Sequence, residues 1–215
     1  GQGHAFIAGG VESMSRIPMT GFNPMPNPVL AEEAMTSMGI TAENLSKIHG
    51  IDRDAQEAFA IESQARANNA RESGLFTDEI VPIETIDGTV YEDGCIRPGT
   101  NAEGLRKLRP AFDANGTVTA GTASPLTDGA AFVFVCSEEF AAEHSLVPMA
   151  RIKSAAVTGC SPEIMGIGPV AASRKALERA GLSLDDIDLI ELNEAFAAQS
   201  LAVIGELGLD TDKVN

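Results

Sequence analysis

From residue 151 onward the apolar pattern switches period in a fixed order, and that order constrains the fold more than any other feature of the chain. Residues 151–157 (RIKSAAV) read as a strand. After a long loop, Gly168-Pro169 opens a helix that runs through Arg179 and stops at Gly181. Ser183 with Asp186 makes a short capped turn into a second strand-like stretch, 187–192 (IDLIEL), and Ala195-Phe196-Ala197-Ala198 starts another apolar helix. Strand, helix, strand, helix is a βαβα order. It predicts parallel pairing and an α/β core.

At the last join, ELNEAFAAQ (191–199), an Asn-Glu pair sits where a strand hands over to a helix. Such a join offers free N–H groups beside the strand's carboxyl end and commonly holds ligands or catalytic groups. Asn193 is equally the kind of short polar residue that caps a helix. Both readings stand at this point.

Earlier in the chain, 5–11 (AFIAGGV) predicts a buried strand entering a Gly9-Gly10 turn, and 18–28, with four prolines, predicts an irregular crossing loop. Thr41 is placed to cap a short helix through Ile48 that Gly50 stops. Asp52 is placed to cap an Ala-rich surface helix to about Ser73, with Ala55, Phe59, Ala58, Ile61 and Ala65 as its apolar stripe. Residues 80–91 predict a hairpin turning at Asp87-Gly88, irregular chain follows to Pro125, and 130–135 (AAFVFV) predicts a fully buried strand. Residues 1–16 and 127–150 read as edges of a core like that of 151–215, with 17–126 inserted between them.

The charge balance limits what such a core can bind. A formal net charge of −16 argues against a nucleic-acid or anionic membrane surface, both of which are bound by clustered Lys and Arg. The longest apolar runs fall far short of the roughly 20 residues that span a bilayer. A soluble cytoplasmic protein is expected. Within this acidic chain, 95–112 holds Arg97, Arg106, Lys107 and Arg109 against Glu103 alone. Such a segment would attract a phosphorylated ligand, or it is a plain surface cluster. Cys95, Cys136 and Cys160 are widely spaced without a CxxC pair, and His4, His49 and His144 lack partners at ligand spacing, so no metal site is expected. The chain opens Gly-Gln-Gly-His, without a starter Met or a secretory h-region, and is expected to be a piece of something longer.

Five segments together resemble the thiolase family. Residues 9–15 (GGVESMS) resemble its GGxESMS turn, 107–112 its KLRPAF segment, 118–124 (VTAGTAS) its VTAGxxS segment, and 193–198 its NEAFAA motif. Residues 160–169 (CSPEIMGIGP) are similar to the loop before its helix. They occur in family order over almost the whole chain. The resemblance implies an α/β fold with a layered αβαβα core built from two similar halves and an inserted loop domain. Residues 1–16 would then end the N-terminal half, 17–126 form the loop domain, 127–150 return to the N-terminal half and 151–215 begin the C-terminal half.

The resemblance also implies CoA-dependent thiolytic cleavage of 3-ketoacyl-CoA, or the reverse Claisen condensation. An acyl-accepting cysteine, an activating histidine and a proton-shuttling second cysteine carry that chemistry. No cofactor is expected beyond coenzyme A as substrate, and a homodimer or homotetramer is expected. Residues 47–50 (KIHG) and 164–166 (IMG) look closer to the degradative than to the acetoacetyl-CoA biosynthetic branch. By the same resemblance Arg97 would serve the CoA phosphates and Ser124 would touch pantetheine. Phe112 and Phe196 would wall the channel, Met38 and Met165 would line the thioester pocket, and Asn193 would hold a water in an oxyanion hole. The two Phe and two Met serve a core equally well.

The family's catalytic cysteines and histidine fall outside these residues, and none of the three cysteines or three histidines present matches them. A decarboxylating ketoacyl synthase would be expected to show paired histidine motifs instead of NEAF. A non-catalytic thiolase-like CoA- or lipid-binding protein remains the alternative from another class.

Overall fold

The computed structural model describes residues 3–18, 29 and 32–215. The elements are β1 (Ala5–Ser13), α1 (Met38–His49), α2 (Arg53–Glu72), β2 (Ile83–Thr85), β3 (Gly88–Val90), α3 (Ala102–Arg106), β4 (Asp128–Cys136), α4 (Glu138–Glu143), α5 (Gly168–Ala180) and α6 (Ala197–Leu207), with short 3-10 turns between them. Contacts divide the chain into two units. Residues 1–27 and 126–155 form one, and residues 28–125 and 156–215 the other. The expected proline-rich loop at 18–28 lies, beyond Pro18, outside the described residues.

In the first unit β1 and β4 pair antiparallel in unbroken register from Ala5 opposite Cys136 to Ser13 opposite Asp128. The expected turn at Gly9-Gly10 is absent, and the strand runs through to Ser13. Gly9 is required for the other reason a glycine is used: a Cβ there would collide with the Phe132 ring across the ladder. The ribbon is fastened at both ends. Ser15 donates from N and Oγ to the Asp128 carboxylate at 2.8 and 2.6 Å, and Ser137 N donates to His4 O at 2.8 Å. Residues 130–135 form the expected strand but are not buried, with Phe132 65% and Phe134 54% exposed. Among the described residues no further strand joins this ribbon.

The second unit is mainly helical. α1 packs on the 3-10 segment Pro162–Ile167 and on α6, while α2 packs on α6 and α3. α1 begins at Met38, ahead of the expected start, so Thr41 lies inside it and donates Oγ1 to Met38 O at 2.7 Å. Gly50 ends it in the left-handed conformation (φ 64°), as expected. α2 follows the sequence closely, with Asp52 Oδ1 accepting Ala55 N–H at 2.8 Å. Its buried stripe differs from the apolar one expected and consists of Gln56, Glu57 and Ala60. Glu57 is paired, its Oε1 meeting Arg53 Nε at 2.6 Å, and Gln56 Nε2 donates to Thr117 Oγ1 at 2.9 Å, whereas Gln56 Oε1 finds no hydrogen-bond partner among the described residues.

The expected hairpin forms as β2–β3, but it turns at Ile86-Asp87, one residue ahead of the expected Asp87-Gly88, and Gly88 at φ 120° begins the return strand opposite Thr85. α5 spans the expected residues and ends at Gly181 (φ 67°), and Ser183 with Asp186 forms the expected capping box. The two expected strands of the βαβα order are not strands here. Residues 151–157 join neither sheet, and both sheets are antiparallel pairs. Alternation makes a strand only where a neighbour supplies the ladder. Residues 187–192 come closer: Ile190 bridges Val214 in parallel, with Ile190 N donating to Lys213 O at 2.8 Å and Leu192 N to Asn215 O at 3.0 Å.

Candidate functional site

The motif segments of the second unit join through their backbones into one layer. Pro110 bridges Thr119, and Ala111 N donates to Val118 O at 2.9 Å, which ties 107–112 to 118–124. Gly121 lets that turn lie close: a Cβ there would collide with Leu105 and come within 2.7 Å of Leu108 Cδ1. The next link is Ala123 bridging Phe196, with Ser124 N donating to Ala195 O and Ala197 N to Thr122 O, both at 2.9 Å.

This layer shapes the start of α6. Phe196, extended at φ −145° and ψ 138°, is the N-cap residue, and no side chain caps the helix. Asn193 lies upstream of that position and is exposed, so the cap reading is corrected. The first N–H of the helix, that of Ala197, has Thr122 O as its acceptor, while Asn193 stands three residues ahead of the N-cap position.

A wide trough of about 1210 Å³ opens over the layer, and both Asn193 and Ser124 line it. One wall is the face of α2 carrying Phe59, Ser63, Gln64 and Arg66. Arg97 is held at that wall, its backbone N–H donating to Gln64 Oε1 at 2.7 Å while its side chain is exposed. Among the described residues no carboxylate pairs with Arg97, Arg106 or Arg109, whereas Lys107 meets Glu103 at 2.7 Å. Three positive charges of the basic segment are therefore uncommitted. Lys47 sits 3.2 Å from Asp113, whose carboxyl is held below the usual carboxylate range by the Asn115 backbone N–H and then by Lys47.

Phe112, Phe196, Met38 and Met165 do not line the trough. The Phe112 and Phe196 rings instead meet each other, edge-to-face at 5.8 Å and 82°, and the Phe112 ring lies so close over Gly39, next to Met38, that a Cβ there would strike it. Gly166, next to Met165, fits between Gln199 and Leu45, with virtual Cβ distances of 2.7 and 2.9 Å. Phe196 packs against the core of Ala42, Val118 and Ala198, yet Met38 and Met165 remain about half exposed, at 55% and 47%. Phe196 is thus partly core, and Met38 and Met165 are surface side chains.

Several residues that shape the site gave no sequence signal. Glu43, buried on α1, accepts the Thr117 and Val118 N–H groups at 3.0 and 2.9 Å. Ser63 donates to Glu194, and Arg66 to Val214 O. Each reaches far along the chain, beyond any local pattern. The histidines have other neighbours: His49 Nδ1 lies 3.7 Å from Glu206, and His144 packs on Phe140 at 4.2 Å between centroids. Among the described residues no group of three or more His, Cys, Asp or Glu side chains converges as a metal site would. No described helix is long and apolar enough to cross a membrane.

Comparison with known proteins adds an independent line. The family model described as "Thiolase, N-terminal domain" matches residues 1–139, and "Thiolase, C-terminal domain" matches 146–215. The 3-ketoacyl-CoA thiolase of Marinobacter nauticus is 52% identical over 227 residues, covering 100% of this chain and 58% of that protein. Human mitochondrial 3-ketoacyl-CoA thiolase in complex with CoA superposes with a TM-score of 0.87 at 42% identity, covering 98% of this chain and 57% of that one. The dimeric peroxisomal thiolase of Saccharomyces cerevisiae gives a TM-score of 0.91 at 40% identity, covering 98% and 56%. The chain thus spans somewhat more than half the length of the relatives it matches.

Proposed function

The chain belongs to the thiolase family and has its α/β fold, and on that premise we propose that the full-length protein is an acyltransferase cleaving 3-ketoacyl-CoA with coenzyme A. The observation that carries this reading is the hydrogen-bonded layer 110–111, 118–124 and 195–197, which sets Ser124 and Asn193 on one trough with Arg97 anchored at its wall. It is supported by the relative named a 3-ketoacyl-CoA thiolase and by the neighbour bound to CoA.

On this reading Arg97, uncommitted and exposed, offers its guanidinium to the CoA phosphates, where a planar fork of donors matches the anion. The Ser124 hydroxyl meets the amide-bearing pantetheine arm. Phe112 and Phe196, edge-to-face with each other outside the trough, wall the acyl channel, and the soft side chains of Met38 and Met165 border the thioester, so that part of the ligand extends beyond the trough. The Asn193 amide donates to a water positioned where the thioester oxygen gains negative charge, a donor that matters most in the transition state. The acyl-accepting cysteine, the histidine and the second cysteine lie in chain outside these residues. Residues 17–126 act as the loop domain between 1–16 and 127–150 of the first half, and 151–215 begin the second. Coenzyme A is the ligand, as substrate. A homodimer is the assembly, by analogy with the dimeric yeast neighbour.

The test is CoA-dependent cleavage of acetoacetyl-CoA and longer 3-ketoacyl-CoA by the purified full-length protein. Turnover above a buffer blank is expected. CoA binding without turnover would favour the non-catalytic alternative, and neither binding nor turnover would end the reading.

A further inference from the structure

One face of α2 holds Glu194, next to Asn193, and the 213–215 segment that bridges Ile190. Ser63 Oγ donates to Glu194 Oε2 at 2.5 Å across 131 residues of sequence. Arg66 Nη1 donates to Val214 O at 2.6 Å, and Arg66 is itself steadied by Glu62, Nε to Oε1 at 2.8 Å. Val214 belongs to the 213–215 segment that runs beside 190–192, where Leu192 N–H reaches Asn215 O. Asn193 therefore sits between two fixed neighbours. Leu192 is held by the ladder on one side and Glu194 by Ser63 on the other.

Ser63, Arg66, Asn193, Glu194 and Val214 all line the trough. The packing of α2 on α6 can rest on other side chains, so a hydroxyl-to-carboxylate bond on the trough wall adds little to burial. What it adds is position. Hydrogen bonds to an ionised group are shorter and stronger than neutral ones, and fixing both neighbours of a residue removes most of its backbone freedom.

We infer that Ser63 and Glu194 are a positioning pair that holds the Asn193 amide in register over the trough. This rests on the reading that Asn193 donates to the oxyanion-stabilising water. Neither residue needs to touch substrate. Their effect passes through Asn193, and that dependence is measurable.

The experiment is a double-mutant cycle in the full-length protein, with kcat, KM for CoA and the thermal midpoint read for each variant. Ser63→Ala is expected to lower kcat about tenfold at unchanged KM, the size of a lost charge-assisted hydrogen bond read in the transition state. Ser63→Thr, which restores the hydroxyl, should recover most of that loss. In an Asn193→Ala background, Ser63→Ala should cost nothing further, because the group it positions is gone. Glu194→Gln, which weakens the acceptor without removing it, should repeat the pattern at smaller amplitude and serves if Ser63→Ala does not fold. Wild-type kcat in Ser63→Ala alongside a crippled Asn193→Ala would overturn the inference and leave the oxyanion reading intact. An equal penalty for Ser63→Ala in both backgrounds would overturn it too. An inert Asn193→Ala substitution would remove the oxyanion reading and the inference with it.

Discussion

The carboxylate of Glu43 accepts the backbone N–H of Val118 at 2.9 Å, with Glu43 1% and Val118 0% exposed. Both Glu43 oxygens also accept the Thr117 N–H at 3.0 Å. An acid in the core is tolerated here because it meets N–H groups of a turn that supplies no acceptor of its own to them. The contact holds the start of the 118–124 segment against α1, and the trough is built on that segment.

Glu43→Ala should therefore destabilise the full-length protein by roughly 2–5 kcal/mol, since it orphans buried donors as well as opening space. Glu43→Gln, which keeps one carbonyl oxygen, should cost less. Urea unfolding measures both. Equal stability of wild type and Glu43→Ala would mean that the turn holds itself.

Asn193→Asp separates chemistry from folding. Asn193 does not cap α6, so the thermal midpoint should barely move. An ionised Asp offers no donor and adds negative charge where negative charge develops, so kcat should fall roughly 10²–10³-fold. Near-normal turnover would remove Asn193 from the chemistry.

Arg97→Ala should raise KM for CoA more than it lowers kcat, because a phosphate contact is made equally in ground and transition states. Stability should hardly change, since among the described residues no carboxylate pairs with the Arg97 guanidinium. Titrating initial rates against CoA decides it, and an unchanged KM would make Arg97 a surface charge.

Acid should loosen the ends of two local structures. The carboxyl of Asp128 is held below its ordinary value by the Ser15 hydroxyl and N–H, and that of Asp186 by the Ser183 N–H and hydroxyl. Because these folded values are depressed, the stability they add is present above the ordinary carboxylate value of about 4 and is lost as pH falls through the folded values. Thermal midpoints of wild type and Asp128→Asn should therefore differ at pH 6 and converge as pH drops below about 4. Parallel curves over that window would show that Asp128 carries no pH-linked stability.

The sequence by itself determined what a few neighbouring residues can settle among themselves. Asp52 reaches the N–H of Ala55, Ser183 and Asp186 close a box over four residues, and Gly50 and Gly181 take left-handed turns that end their helices. The hairpin over 83–90 is equally local, although its turn falls at Ile86-Asp87 and not at the expected Asp87-Gly88. The motifs also marked which segments matter, since 107–112, 118–124 and 193–198 are the segments that join in one layer or line its trough. Tertiary structure decided everything that depends on a distant partner. Residues 151–157 read as a strand but join no sheet, and β4 is a strand whose Phe132 and Phe134 are exposed. Gln56 and Glu57 displaced the apolar stripe expected on α2 because Thr117 and Arg53 bond to them. Asn193 lost its role as a cap because the layer holds 195–197 extended up to Phe196, which becomes the N-cap, and its neighbour Glu194 gained a partner in Ser63. Periodicity reports a side chain's preference for a face, whereas burial and hydrogen-bond satisfaction depend on what the folded chain brings opposite it.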